Sequence, residues 1–344
     1  MTPMWLTSMD FNKLSRLFFL VFLLVGCTRD PQPLQRIQGL ALGTSYSIQY
    51  ASETLKAEVF EKTVDSLFDI LNQSLSTYLP DSDISKINSG DSTLVVNEHF
   101  EKVYNAASWV WELTEGYFDP TVGALVNAYG FGPGKPITNL SSPQRDSLML
   151  FTGWNKTELT PEKTIIKKHP HLYFDFNALA KGYVVDVIAN ALRTKNCDSF
   201  LVEIGGEIVA QGKSPNSGNY WKIAIDDPQQ QEERKFIQVL TLQNQAIATS
   251  GNYRKYNVDP TTGRRTAHSI NPKTGLAFPT AVLSASVIAR DCMTADALAT
   301  ALMVMPLDKS KKMLEQLDGI EGYWIISDDE GKLQEVFTSG FPRE

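Results

Sequence analysis

The sequence is poor in the residues that most often build metal sites and covalent catalytic sites. It holds only 3 cysteines and 4 histidines in 344 residues. No cysteines have the close spacing of a zinc site, the histidines form no HExxH motif, and no GxSxG turn is present. Zinc fingers, zinc proteases of the HExxH type and hydrolases with a nucleophile elbow are therefore excluded. Cys197 and Cys292 are far apart in sequence, which leaves open whether they pair.

Positive charge is also sparse. The chain has 32 lysines and arginines against 39 acidic residues, and its net charge is -7. It contains no basic block and no cluster that combines basic with aromatic residues, so we expect no nucleic-acid partner. With 42% hydrophobic and 21% charged residues, the composition is that of an ordinary globular protein with a sizeable core.

The N-terminus contains the longest apolar stretch, and it is too short to span a bilayer. Lys13 and Arg16 precede an apolar run over residues 17–25, which ends in small residues. A charged segment, a short apolar run and a small-residue end are typical of a secretory signal peptide. We therefore expect residues 1–26 to be a signal peptide that is absent from the mature protein.

The tetrad at residues 24–27 resembles a bacterial lipobox, in which the cysteine is lipidated and becomes the new N-terminus. The resemblance implies a lipid on Cys27, followed by a linker over residues 27–33. No clear linker divides residues 34–344, so we expect one domain there. Acyl chains tether a protein to a membrane without crossing it. The expected location is the bacterial cell envelope, with the protein anchored to a membrane and facing the periplasm.

Hydrophobic periodicity predicts a mixture of helices and hairpin-like strands. Helices are predicted over residues 55–75, 100–114, 178–194 and 290–305. Strands are predicted over residues 36–50, 172–175, 200–204, 207–210, 221–225, 236–242, 246–253 and 282–289, with a final pair between 321 and 337. No repeats interrupt this order. The predicted fold class is α+β with largely antiparallel sheets and flanking helices, in one domain that could form two lobes.

The predicted helix at residues 290–305 carries a carboxylate and a hydroxyl one turn apart. Asp296 and Thr300 are four residues apart and share one small, apolar face, and Asp291 is a suitable N-cap. The two oxygens could hold a small hard cation such as Mg²⁺. In the alternative reading, Asp296 interacts with the helix dipole and Thr300 bonds back to the carbonyl of residue 296.

Lys181 stands in the first turn of another predicted helix, where a positive charge is unfavourable to the helix dipole. The lysine therefore needs a compensating partner or a solvated position. A substrate phosphate or carboxylate would serve, and so would Asp175 just before the helix.

Several short polar segments have both a structural and a functional reading. Thr249, Ser250 and Gly251 end a strand with hydroxyls and backbone N–H groups that suit phosphate oxygens. His268 could bond a phosphate, move a proton or be structural. Tyr78 could stack on an aromatic ligand or cover the core.

Two further segments also have both a structural and a functional interpretation. Asp119 and Pro120 are typical of a helix start, with the aspartate as cap. Leu42-Gly43 lies within a predicted strand, where the glycine makes either a bulge or room for a ligand.

Eight motifs in register now indicate a family. They lie at residues 42–44, 76–78, 116–121, 175–186, 205–206, 249–251, 268–275 and 295–300. Together they resemble the ApbE family of FAD:protein FMN transferases. The resemblance covers nearly all of the chain after the lipobox. It implies an enzyme that moves FMN from FAD onto a threonine or serine hydroxyl of an acceptor protein and releases AMP.

The resemblance also implies a set of site residues. Mg²⁺ would be held by the side chains of Asp296 and Thr300 and the backbone carbonyl of Ala178. FAD would contact Leu42, Tyr78, Phe118, Asp119, Pro120, Asp175, Lys181 and His268. Lys181 and the amides of residues 249–251 would add electrostatic support, and His268 or a carboxylate near the metal would act as base. The catalytic residues would thus be Asp296, His268 and Lys181.

Two other functions use the same residues. One is an FAD pyrophosphatase, in which water replaces the protein hydroxyl and free FMN accumulates. The other is a flavin-binding lipoprotein without catalysis, which would have no need of the metal pair. The family's acceptor motif, Asp-Gly-x-Ser/Thr-x-Ser/Thr, is not found here, because residues 318–321 lack the hydroxyl. The acceptor is therefore expected to be another protein.

Overall fold

A large antiparallel sheet forms the centre of the computed structural model. The strands are β1 (Leu34–Ala41), β2 (Thr44–Ala51), β3 (Thr157–Leu159), β4 (Ile165–Lys167), β5 (Phe200–Ile204), β6 (Glu207–Gln211), β7 (Trp221–Asp226), β8 (Phe236–Leu242), β9 (Gln245–Gly251), β10 (Tyr256–Val258), β11 (Arg265–Ala267), β12 (Val282–Ala289), β13 (Glu321–Ser327) and β14 (Leu333–Phe337). Eight strands pair in the order β1-β2-β5-β6-β9-β12-β13-β14, and every neighbouring pair is antiparallel. The pairs β3–β4, β7–β8 and β10–β11 form separate two-stranded sheets.

The helices lie between these strands in the chain. They are α1 (Ala57–Leu75), α2 (Asp83–Asn88), α3 (Glu98–Leu113), α4 (Gly123–Ala128), α5 (Ser142–Met149), α6 (Ala180–Thr194), α7 (Cys292–Leu302) and α8 (Leu307–Leu314), with one 3-10 turn at Trp154–Lys156. The predicted α+β class is confirmed.

The structure describes residues 32–229, 235–252, 256–258, 265–277, 280–328 and 330–343. The predicted signal peptide and Cys27 lie outside the described residues, as does most of the predicted linker. Residues 33–344 form one compact unit. Within the described ranges, no helix has the length and apolar character needed to cross a bilayer.

The sheet is covered on both faces, which explains the nearly continuous apolar character of its central strands. On one face the main core joins the helices to strand residues such as Val209 and Ala248. On the other face the β7–β8 hairpin packs a second core against the alternate residues, such as Ala210 and Ile247. Successive strand residues point to opposite faces, so the two core memberships tell which way each side chain points.

Most predicted elements are present with small shifts at their ends. The apolar stripe of α1 is buried, and Asp291 caps α7 by accepting a hydrogen bond of 2.8 Å from the backbone N–H of Thr294. Cys197 and Cys292 are both buried and free.

The single strand predicted over residues 36–50 is instead a hairpin. Ala41 pairs with Thr44, and the two residues between them, Leu42 and Gly43, have φ angles of 53° and 73°. Positive φ at both central positions is characteristic of a type I′ turn. The glycine signal that suggested a bulge in a strand was therefore a turn signal.

Two predictions around Asp119 and Asp175 were also wrong in detail. The predicted strand ending at Asp175 is reduced to a single bridge between Val122 and Tyr173. The helix predicted to start at Pro120 begins only at Gly123. The Asp119 carboxylate accepts bonds from the backbone N–H groups of residues 121 and 154, and these bonds stabilise a turn where a helix was expected.

Candidate active site

Helices α6 and α7 cross at Gly182, and this crossing positions the acidic centre of the site. A Cβ added at Gly182 would lie 2.3 Å from the carbonyl oxygen of Cys292 and 2.9 Å from the Cβ of Asp296. The glycine N–H donates a hydrogen bond of 3.0 Å to Oδ2 of Asp296. Asp186, one turn further along α6, accepts bonds of 2.8 Å from the N–H groups of Cys292 and Met293. The two helices are therefore locked together by backbone-to-carboxylate bonds.

A cluster of one ammonium and two carboxylates sits beside this crossing. Nζ of Lys181 lies 2.8 Å from Oε1 of Glu207 and 3.8 Å from Oδ2 of Asp296. Both carboxylates are buried, with 3% and 2% of Glu207 and Asp296 exposed. Burial disfavours the charge of Lys181, but the charges of Asp296 and Glu207 outweigh burial and raise its pKa. Burial raises the pKa of Asp296 to about 7, although the Lys181 ammonium opposes that rise.

The hydroxyl of Thr300 lies one turn beyond Asp296 on the same helix. Its Oγ1 is 3.2 Å from Oγ of Ser250 on β9. Ser250 follows Ala248 on the helix-covered face of the sheet, whereas Thr249 points to the other face and bonds to Oγ of Ser286 at 2.7 Å. Of the two hydroxyls predicted here, only Ser250 meets the α7 site.

The backbone before α6 offers one more oxygen. In a regular helix the N–H of Gly182 would donate to the carbonyl of Ala178. Here that N–H donates to Asp296, and none of the backbone hydrogen bonds in the described ranges ends on the Ala178 carbonyl. The Ala178 carbonyl oxygen can therefore accept another ligand, and it lies one turn before Gly182, which contacts Asp296.

The turn at residues 118–120 meets the segment before α6. The N–H of Asp175 donates to the carbonyl of Pro120 at 2.8 Å. Phe118, Asp119 and Asp175 are all buried, with 2%, 8% and 7% exposed. Burial raises the pKa of both aspartates, and hydrogen bonds from Thr121 to Asp119 and from Asn177 to Asp175 oppose the rise. These carboxylates are engaged with neighbouring backbone.

Tyr78 and His268 each lie close to Phe131. The hydroxyl of Tyr78 donates to the Phe131 carbonyl at 3.2 Å, and the Phe131 and His268 rings are 6.3 Å apart. Tyr78 is 57% exposed, so it presents its ring to solvent instead of covering the core. Burial and the charge of Asp175 raise the Tyr78 pKa.

Leu42 sits in the β1–β2 turn, next to the double-glycine turn between β5 and β6. The N–H of Gly205 donates to the Ser45 carbonyl at 3.0 Å, and a Cβ on Gly205 would lie 2.8 Å from Thr44. Gly205 and Gly206 have φ angles of 60° and 97°, which favours glycine at both positions. The next residue after this turn is Glu207.

Glu207 is the main site residue that the sequence did not identify. Lys181 was expected to need an anionic partner, and the structure provides Glu207, which is 26 residues away in sequence. The sequence signal was a carboxylate at an inward position of a buried strand, since such a residue is almost never fully buried without a partner.

The oxygen atoms in this region suit a hard cation. No group of three or more His, Cys, Asp or Glu side chains in the described residues is arranged as a metal site. Mg²⁺, however, is usually held by one or two carboxylates together with other oxygens, waters and substrate phosphates. Asp296, Thr300, Ser250 and the open carbonyl of Ala178 supply oxygens of this kind, so the residues present fit such an ion.

Comparisons with known proteins place this geometry in a family. The ApbE family model matches residues 42–324. The FAD:protein FMN transferase of Haemophilus influenzae is 34% identical over 90% of both chains. The enzyme of the same name from Vibrio cholerae is 35% identical over 93% of this chain and 95% of its own.

Solved structures agree with the sequence comparisons. The flavin transferase ApbE from Vibrio cholerae has a TM-score of 0.81 at 33% identity and covers 90% of this chain and 99% of its own. The apo form of the Pseudomonas stutzeri flavinyl transferase ApbE has a TM-score of 0.78 at 28% identity, covering 89% and 95%. The resemblance inferred from the eight motifs is thereby confirmed, and the chain belongs to the ApbE family.

Proposed function

We propose that this chain transfers FMN from FAD to a threonine or serine hydroxyl of an acceptor protein, with Mg²⁺ as cofactor and AMP as the leaving product. Family membership supports flavin transfer by an enzyme of this kind. The observation that carries the finer proposal is the cluster of Lys181, Asp296 and Thr300. The lysine supplies a cation for phosphate oxygens, and Asp296 and Thr300 supply hard oxygens for a metal. A protein that only binds flavin has no need of a metal site.

We assign the site residues three roles: binding the metal, binding the phosphates and positioning the dinucleotide. Asp296, Thr300 and the Ala178 carbonyl would hold Mg²⁺, which when bound neutralises charge that develops on the pyrophosphate. The Lys181 ammonium and the N–H groups of residues 249–251 would bind phosphate oxygens. Leu42, Tyr78, residues 118–120 and Asp175 would position the dinucleotide.

A base is needed to take the proton of the acceptor hydroxyl as that oxygen attacks the FMN phosphorus and the bond to AMP breaks. His268 is our candidate because neutral imidazole accepts a proton near neutral pH. It lies beside Phe131, which also accepts the hydrogen bond from Tyr78. The alternative base is a carboxylate near the metal.

The test uses the purified protein, FAD and a candidate acceptor that carries the family's motif. With Mg²⁺ we expect equimolar AMP release and a fluorescent, covalently labelled acceptor band, and with EDTA we expect neither. AMP together with free FMN and no labelled band would identify an FAD pyrophosphatase instead. Bound FAD that stays intact with Mg²⁺ would identify a flavin-binding protein without catalysis.

The same proposal includes export and membrane anchoring through Cys27. In bacterial cells grown with labelled palmitate we expect the chain to become labelled and to fractionate with membranes. Cys27→Ser should abolish labelling and release the protein from the membrane fraction, because it removes the acylated thiol. Labelling that survives this substitution would contradict the lipobox assignment.

A further inference from the structure

The second carboxylate oxygen of Glu207 is unusual in this site. Glu207 is 3% exposed, and its Oε2 is buried with no hydrogen-bond partner among the described residues. Its Oε1 is 2.8 Å from Nζ of Lys181. A buried carboxylate with a free oxygen is costly, so its presence calls for a reason beyond packing.

The distances in the cluster show which carboxylate holds the lysine. Nζ of Lys181 is in direct contact with Glu207, whereas it stays 3.8 Å from Oδ2 of Asp296. A shift of about 1 Å would shorten this long ion pair to a direct hydrogen bond between the ammonium and Asp296, at the usual N–O distance. That oxygen already accepts the N–H of Gly182.

Such a shift would matter because Asp296 is the only carboxylate among the proposed metal ligands. If the Lys181 ammonium paired directly with Asp296, it would compete with the divalent cation for this buried carboxylate. In a region of low dielectric this competition is strong, since both attractions are little screened.

Resting on the proposed function, we infer that Glu207 is a positioning residue that holds the Lys181 ammonium away from Asp296 and thereby keeps this carboxylate available to Mg²⁺. The place of Glu207 in the fold supports the role. It is the first residue of β6, paired with Ile204 across a tight turn, and it lies on the helix-covered face of the sheet with Val209. The carboxylate is thus presented from a rigid strand.

Charge balance adds a second way in which Glu207 favours the ion, through direct attraction. Lys181, Asp296 and Glu207 together carry one negative charge when all are ionised. A divalent cation then brings this cluster to one positive charge, which attracts the negatively charged diphosphate of the substrate. Without Glu207 the cluster would be neutral before the metal arrives, so it would attract the ion less, and an ammonium paired with Asp296 would weaken that attraction further.

A double-mutant cycle on the purified protein tests this role without measuring activity. Mn²⁺ replaces Mg²⁺ as the probe, and free Mn²⁺ is followed by electron paramagnetic resonance in the absence of FAD. We expect Glu207→Gln to weaken Mn²⁺ binding by roughly 10-fold or more, the size typical of residues that orient metal ligands. In a Lys181→Met background the same substitution should cause a loss at least about 5-fold smaller, because no ammonium remains to be held.

The cycle separates this role from direct attraction. The charge of Glu207 attracts the ion through space in both backgrounds, so that contribution cancels in the comparison. Equal losses in both backgrounds would overturn the inference while leaving the proposed metal site intact. If the wild-type protein binds no Mn²⁺ even after FAD is added, or if Asp296→Asn leaves binding unchanged, the metal site of the proposed function fails and the inference fails with it.

A second variant covers the case in which Glu207→Gln does not fold. Glu207→Asp keeps the charge but withdraws the carboxylate by one methylene. We expect Glu207→Asp to lower Mn²⁺ affinity less than Glu207→Gln does, and we expect Lys181→Met to suppress this loss as well. Unchanged affinity in Glu207→Asp, with the ammonium still held away from Asp296 in its crystal structure, would support the role. Unchanged affinity with the ammonium moved onto Asp296 would overturn it.

Discussion

Replacing Asp296 with asparagine is expected to lower Mg²⁺-dependent AMP release by at least about 100-fold, because residues that merely support a metal ligand already contribute 10–100-fold. Asparagine is nearly the same size and keeps an oxygen that can accept the N–H of Gly182, now 3.0 Å from Oδ2. The helix crossing should therefore persist. What is lost is the negative charge, and with it the affinity for a hard cation.

Two measurements separate loss of the metal from loss of the fold. AMP release is followed at saturating FAD, and thermal unfolding is followed with and without Mg²⁺. A bound ion stabilises the native state, so Mg²⁺ should raise the unfolding temperature of the wild type and leave that of the variant unchanged. Asp308→Asn, on the exposed start of α8, is the matched control and should behave as wild type. Full turnover by Asp296→Asn with Mg²⁺ would refute the metal site.

Local sequence signals were sufficient for the elements that carry this site. The Asp291 cap, the alanine-rich run of α7 and the four-residue spacing of Asp296 and Thr300 are short-range features, and the helix is present as predicted. The same holds for β12, whose apolar run is buried on both faces of the central sheet. Such patterns report directly on periodicity and burial.

The long-range residue pairs that assemble the site could not be predicted from local sequence patterns. Gly182 and Asp296 are 114 residues apart, and Lys181 and Glu207 are 26 apart. Only the strand order brings β6 and β9 under α6 and α7. Periodicity gives the face of each element but not its neighbour, so the partner of Lys181 remained open until the fold was known.

The hydroxyls at the end of β9 show a different limit. Thr249 and Ser250 are adjacent and chemically alike, and the sequence placed both in the site. In the sheet they point to opposite faces, and only Ser250 reaches Thr300. A motif of consecutive polar residues on a strand therefore overstates, by about a factor of two, how many of the side chains one site can use.

Gly182→Ala is expected to lower the free energy of unfolding by about 2 kcal/mol, although alanine in a helix interior usually stabilises by about 1 kcal/mol relative to glycine. The sign reverses because the new Cβ would lie 2.3 Å from the carbonyl oxygen of Cys292, which is backbone and cannot rotate away. Helices α6 and α7 would have to separate. Overpacking costs about 1–3 kcal/mol, and a clash with backbone lies at the upper end, which leaves a net loss of about 2 kcal/mol after the helix gain.

Separation of the helices should impair catalysis even in molecules that remain folded. The same Cβ would lie 2.9 Å from the Cβ of Asp296, so the carboxylate moves away from Lys181 and from the start of α6. A displacement of about 1 Å can cost roughly 100-fold in rate, and we expect AMP release to fall by about that factor. Urea unfolding followed by circular dichroism gives the stability, and AMP release at saturating FAD and Mg²⁺ gives the rate. Gly340→Ala is the control, since the three atoms nearest to its new Cβ all belong to the carboxylate of the Glu321 side chain, whereas the two nearest at Gly182 are backbone atoms. If Gly182→Ala proved as stable and as active as this control, close contact between the two helices would not be what positions Asp296.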